Sequence, residues 1–177
     1  MTIPLRKHQG TTQQTNGYAT IDDFYNVFDR GMNVLYQLSF LLTADDRKAE
    51  ACFVAGLEES VTSNRVFKEW AHSWAKRAII QNAIRALKPR PPVDYPSSSV
   101  ALYSGGERPK ENQHFNLDWV LSLADFDRFV FVMSVLEHYP DRDCAMLLGC
   151  SLRQVSEARI RRFERLTGPL LTMAESS

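Results

Sequence analysis

The chain has 177 residues, of which 44% are hydrophobic, so it can bury a sizeable core in one domain or two small ones. Its 21 basic residues balance 21 acidic ones, which argues against a protein that coats nucleic acid along its whole length but leaves room for a local basic patch. Three cysteines, Cys52, Cys144 and Cys150, suit buried thiols in a reducing compartment better than a disulfide framework. The longest apolar run, Phe129 to Leu136, is too short to span a bilayer. The expectation is a soluble, cytoplasmic protein without membrane insertion.

Residues 1–18 are polar, rich in Thr, Gln and Gly, and lack the apolar centre of a signal peptide; they are predicted to be disordered. A helical domain is expected over 19–88. In it Phe24, Val27, Phe28, Met32, Leu35, Leu38 and Leu41 form one broad apolar stripe. "TADDRK" breaks that pattern, with Thr43 or Asp45 placed to cap a next helix that carries Ala49, Cys52, Phe53 and Leu57. A further helix is predicted from roughly Asn64 to Leu87. Residues 89–115 hold most of the prolines, a serine triplet and a glycine pair, and read as a flexible linker. Helical spacing returns over 116–171, followed by a short tail, 172–177. The predicted class is all-α: two small helical domains joined by a flexible linker.

The segment "DRDCAMLLGCSLRQVSEARI", from Asp141 to Ile160, has the spacing of a helix-turn-helix. Ala145 is small where a second helix would cross, Gly149 permits a tight left-handed turn, and Cys144, Leu148, Cys150 and Val155 fall on the shared core. Ser151 and Gln154 make a capping box that opens the second helix. Arg153, Gln154, Ser156, Glu157, Arg159, Arg161 and Arg162 then occupy its solvent side. An arginine-bearing helix is also a common solvated surface, but this spacing and the capping box together favour a DNA reader. His138, Cys144 and Cys150 recur at equal intervals, yet a six-residue step does not bring ligands to one helix face, so no metal site is predicted. With no phosphate-binding glycine loop and no nucleophile motif, neither enzymatic activity nor a cofactor is expected.

With the upstream "SLADFDRFVFVMSVLEHYPDRDCAMLLGCS", this half resembles the promoter-binding C-terminal domain of sigma-70 family factors, especially the small extracytoplasmic-function class. Leu123, the run from Phe129 to Glu137, Ala145, Gly149, Ser151 and Val155 carry the likeness. "FKEWAHSWAKRAIIQNAIRAL", from Phe67 to Leu87, is similar to the helix that melts the minus-ten element in that family. "LLTADDRKAEACFVAGL", from Leu41 to Leu57, is similar to the segment that docks on the polymerase clamp. Several positions depart from the pattern: Lys48, Ala51 and Val54 in the docking segment, Arg77 in the melting helix, and Arg159 in the recognition helix.

The resemblance implies a transcription initiation factor with core RNA polymerase and promoter DNA as partners, and an anti-sigma factor by analogy. It implies a minus-thirty-five contact through Ser151, Arg153, Gln154, Ser156 and Glu157, with Arg159, Arg161 and Arg162 toward phosphates. Glu157 has two readings, a cytosine contact or an ion pair with Arg161. The minus-ten contact would use Lys68, Trp70, Trp74, Lys76, Arg77, Gln81 and Arg85, a mixture of rings and cations that suits single-stranded DNA, although by spacing at least one of the tryptophans belongs to the core. Polymerase docking falls to Asp45, Asp46, Glu50 and Leu57. The alternatives are a sigma-derived DNA-binding regulator, or an interaction protein, that no longer acts as a polymerase subunit.

Overall fold

The computed structural model describes residues 17–63, 65–92 and 117–166, the last five without their side chains. Residues 1–16 of the segment predicted as disordered, most of the linker and residues 167–177 lie outside them, as does Asn64, while Tyr18, at the end of the first of these segments, is bridged to Phe67. The described residues are mostly helical and contain no strand, only an isolated bridge between Tyr18 and Phe67.

The first helix, α1 (Ile21–Arg30), is opened by a reciprocal capping box. The Asp23 amide donates to Thr20 Oγ1 at 3.2 Å, and the Thr20 amide donates to the Asp23 carboxylate at 2.8 Å. The predicted continuous stripe is divided at Gly31, where α2 (Met32–Thr43) begins. Phe24, Phe28, Leu35, Leu38 and Leu41 point inward as expected, whereas Met32, just past the break, is exposed. Ala44 closes α2 in a left-handed conformation, and Asp45, rather than Thr43, caps α3 (Asp46–Thr62) by accepting from the Lys48 amide at 2.9 Å.

The inward face of α3 carries Ala49, Cys52, Gly56 and Ser60, all small. Small residues let backbones approach, and α4 (Ala71–Leu87) answers with Ala71, Ala75, Ala78 and Ala83. A β-carbon added at Gly56 would lie 2.6 Å from Ile79 Cγ1, so glycine is required there by close approach. The predicted long helix from Asn64 is shorter than expected: a single 3-10 turn at Lys68–Trp70 precedes α4.

The second half comprises α5 (Leu117–Leu121), α6 (Asp125–Phe131) widening into a π-helical turn at Val132–Leu136, α7 (Asp141–Leu148) and α8 (Leu152–Leu166). Phe126, Phe129, Val130, Val132 and Met133 are buried along the α6 segment. They belong to one hydrophobic cluster with Leu35, Leu38, Leu42 and Ile79 of the first half and Val155 and Ala158 of α8. The two halves therefore share a core in this structure.

One buried arginine stitches them together. Arg128, 4% exposed, donates from Nε to the Leu42 carbonyl at 3.2 Å and from Nη1 to the Leu123 carbonyl at 2.7 Å. Leu42 sits in the last turn of α2, where carbonyls lack helical partners, so this cation serves as a long-range C-cap. Asp125 balances its charge at 2.6 Å. Among the described residues no helix is long and apolar enough to cross a membrane.

Candidate nucleic-acid interface

Between α7 and α8 the chain turns through Gly149, Cys150 and Ser151. Gly149 is left-handed, with φ of 63°, the region where a side chain is costly. The Gln154 side-chain oxygen accepts from the Ser151 amide at 2.9 Å, and the Gln154 amide donates back to Ser151 Oγ at 3.2 Å. Cys144, Ala145, Leu148, Val155 and Ala158 are buried, and Cys150 is half-buried against them. Burial pushes the Cys144 thiol up to about 12, with Asp141 and Asp143 adding to the effect, so it is neutral and inert. Among the described residues no cluster of His, Cys, Asp or Glu is arranged to hold a metal ion.

The polar face of α8 is tied down by carboxylates. Arg153 pairs with Glu157 at 2.6 Å, so Glu157 faces back along the helix to Arg153, not forward to Arg161. Hydrogen bonding to Glu157 raises the Arg153 guanidinium further above its ordinary value. Arg159 reaches Asp141 at the start of α7 at 2.8 Å, and Arg161 reaches Asp127 on α6 at 3.0 Å. Ser151 and Gln154 use their side chains in the cap. Arg153 is the most exposed of these cations, with three quarters of its side chain in solvent (76%), while Ser156 is half-buried. The side chain of Arg162 lies outside the described residues.

A second face forms along α4. Its N-terminal half and the preceding turn place Phe67, Trp70, Trp74, Lys76 and Arg77 along one wall of a cleft of about 620 Å³. Glu137, His138 and Tyr139, between the π-helical turn and α7, and Asp143 in the first turn of α7 line the other wall. Trp70 is 60% exposed, and Phe67 lies against it edge to face and stacks on Tyr18. Trp74 is half-buried beside Phe24, Val66 and Ala71, and its indole N–H has no acceptor among the described residues. One tryptophan thus packs and the other is presented to solvent. Lys76 Nζ meets the Glu137 carboxylate at 2.7 Å. Farther along, Arg77, Gln81 and Arg85 border a shallow groove with Met146 and Leu147 of α7. Arg85 is also paired with Glu59, and Lys68 with Asp23 at 3.1 Å.

The third feature is a groove of about 630 Å³ between α2 and α3. Met32, Tyr36, Phe40, Phe53 and Val54 give it an apolar lining, and Asp46 and Glu50 give it negative charge. Partial burial, then Asp46 and Glu50, raise the Tyr36 phenol above its ordinary value. The other two residues expected here lie elsewhere: Asp45 is used as the α3 cap, and Leu57 packs half-buried against the main core.

No family model, curated protein or solved structure matches this chain. The site therefore rests on its own geometry.

The acidic partners are not legible in the sequence. Asp127, Glu137 and Asp141 stand 34, 61 and 18 residues from the cations they hold, so no local spacing rule pairs them. Arg65, His138 and Tyr139 also escaped notice as walls of the cleft. A signal for the turn was present, since a His-Tyr-Pro run interrupts the helical pattern at His138, which the structure puts in a left-handed conformation with φ of 58°.

Proposed function

We propose that the chain is a sigma-70-like transcription initiation factor that directs RNA polymerase to promoters by binding DNA. It is read as two helical domains, the second carrying a helix-turn-helix. The observation that carries the reading is the α7–α8 unit: a three-residue turn with left-handed Gly149, an intact Ser151–Gln154 cap, and buried Ala145 and Val155 beneath a polar, arginine-bearing face. Arg153, exposed on the first turn of α8, is the residue best situated to reach a base edge. Exposed Trp70, in the turn before α4, with Lys76, Arg77 and Gln81 on α4, has the ring-and-cation character that holds unpaired bases. Apolar contacts flanked by Asp46 and Glu50 suit a partner helix with a basic rim, the role given to the polymerase clamp.

Core polymerase pull-down, followed by run-off transcription from a promoter library, tests this. Wild type should bind core enzyme and yield specific transcripts, and Glu50→Arg should lose both. A folded wild-type chain that fails to bind core polymerase would refute the reading.

A second reading is favoured by one specific feature. Asp141 and Asp127 neutralise Arg159 and Arg161, which removes two of the expected phosphate contacts and suits an interaction protein that has lost promoter function. DNA affinity independent of salt between 50 and 200 mM, or absent altogether, would favour it, because each phosphate contact contributes to a steep salt slope.

A further inference from the structure

We propose that Tyr18 is a positioning residue for single-strand binding: stacked on Phe67, it holds the exposed Trp70 ring where a base can stack on it. The inference rests on the reading of α4 and the turn before it as a single-strand DNA surface.

The bridge between residues 17–19 and the turn before α4 sets the geometry. The Ala19 amide donates to the Val66 carbonyl at 2.7 Å, and the Lys68 amide donates to the Gly17 carbonyl at 3.0 Å. These two bonds flank Tyr18 and Phe67, which makes them a non-hydrogen-bonded antiparallel pair, the arrangement that brings opposite side chains closest. Their rings stack with centroids 4.8 Å apart and planes 22° from parallel. Phe67 in turn meets the Trp70 ring edge to face, at 5.2 Å and 83°. A second tie fixes the same turn: Asp23, in the capping box of α1, pairs with Lys68 at 3.1 Å.

This row of rings is not core. Phe67 and Trp70 are both exposed, and Trp70 lines the cleft that Lys76 and Arg77 also line. An exposed tryptophan on an unsupported turn loses rotamer freedom when a base stacks on it, and that loss weakens binding. A ring already held by its neighbours has less to lose. Tyr18 supplies that support from outside α4, at the end of a segment whose composition predicts disorder. Its ring also carries the Arg65 guanidinium, 5.8 Å from the centroid. Arg65 lines the same cleft, so the row ends in a cation suited to the phosphate beside a stacked base.

A double-mutant cycle tests the linkage. Binding of a fluorescein-labelled random-sequence single-stranded DNA pool to the full-length chain is followed by anisotropy. Trp70→Ala should weaken binding about tenfold, the loss of one stacked base. Tyr18→Leu, which keeps the backbone bridge and an apolar side chain but not the flat ring, should weaken it roughly threefold to tenfold. Tyr18→Phe, which keeps the ring, should bind as wild type does. In Trp70→Ala the Tyr18→Leu change should have no further effect, because it acts through the indole; a general loss of folding would weaken both chains alike. If Trp70→Ala weakens binding and Tyr18→Leu does not, or if the two losses add in full, the positioning role is overturned and the single-strand surface stands. Tyr18→Phe as weak as Tyr18→Leu would overturn it as well, by assigning the effect to the hydroxyl. If wild type does not bind, or Trp70→Ala binds undiminished, the reading of the surface fails and the positioning role falls with it.

Discussion

Gly149 and Asp23 are two residues whose chemistry is fixed by backbone geometry. At φ of 63° any side chain at position 149 carries the left-handed penalty, although the space around it is open. Gly149→Ala should therefore cost about 1 kcal/mol, and lower the thermal midpoint by roughly 2–4 °C for a chain of this size. An unchanged midpoint would mean that the turn is not left-handed. Asp23 is held down to about 2, first by the Thr20 amide, then by the Thr20 hydroxyl and Lys68. Its folded value lies below its unfolded one, so its contribution is complete above pH 4 and disappears as pH falls toward 2. Thermal melts of wild type and Asp23→Asn should differ at pH 6 and converge by pH 2. A gap that stays constant across that range would contradict the capping geometry.

At the scale of elements, the α3–α4 contact is the tightest in the first half. Gly56→Ala brings a methyl within 2.6 Å of Ile79 Cγ1 and 3.2 Å of the Ile79 amide nitrogen, so the helices must separate. The expected loss is roughly 1–3 kcal/mol, against the gain of under about 1 kcal/mol that alanine brings to an isolated helix. A chemical melt of Gly56→Ala more stable than wild type would refute the close approach. Thiol reactivity probes the second half in the same way. Cys150 is half-buried, whereas Cys52 and Cys144 are buried and Cys144 is pushed up to about 12, so Ellman's reagent should label Cys150 first and the other two only on unfolding. Equal rates at all three would contradict this packing. These elements were legible in the sequence wherever the signal was local. The Ser151–Gln154 box, the small Ala145 and the glycine turn are all short-range, and each has the expected neighbours. Local signals that competed were harder to read. Leu35 and Leu38 continue the stripe of Phe24 and Phe28 in the sequence, so the division at Gly31 was invisible by periodicity alone.

Across the whole molecule, what the sequence withheld is the relation between its halves. Proline-rich composition in 89–115 suggests a tether, while Leu35, Leu42 and Ile79 join Phe129 and Met133 in one cluster. Pairing of this kind depends on residues far apart in the chain, such as Arg128 and Leu42, separated by 86 positions. That bond makes a sharp prediction. Arg128→Met keeps most of the apolar stem but leaves the Leu42 and Leu123 carbonyls without their donor, at a cost of roughly 3 kcal/mol. In urea, wild type should unfold in one step, with a tryptophan in α4 and Trp119 in α5 reporting the same midpoint, because a shared core makes the halves cooperative. Single-tryptophan variants of the full chain isolate the two signals. In Arg128→Met the Trp119 midpoint should fall below that of Trp74, since α6 loses its anchor on α2 while α3 and α4 keep theirs. Coincident midpoints in both chains, with no shift, would mean that the halves are joined by the apolar cluster alone. Separate midpoints already in wild type would mean that the shared core does not couple them.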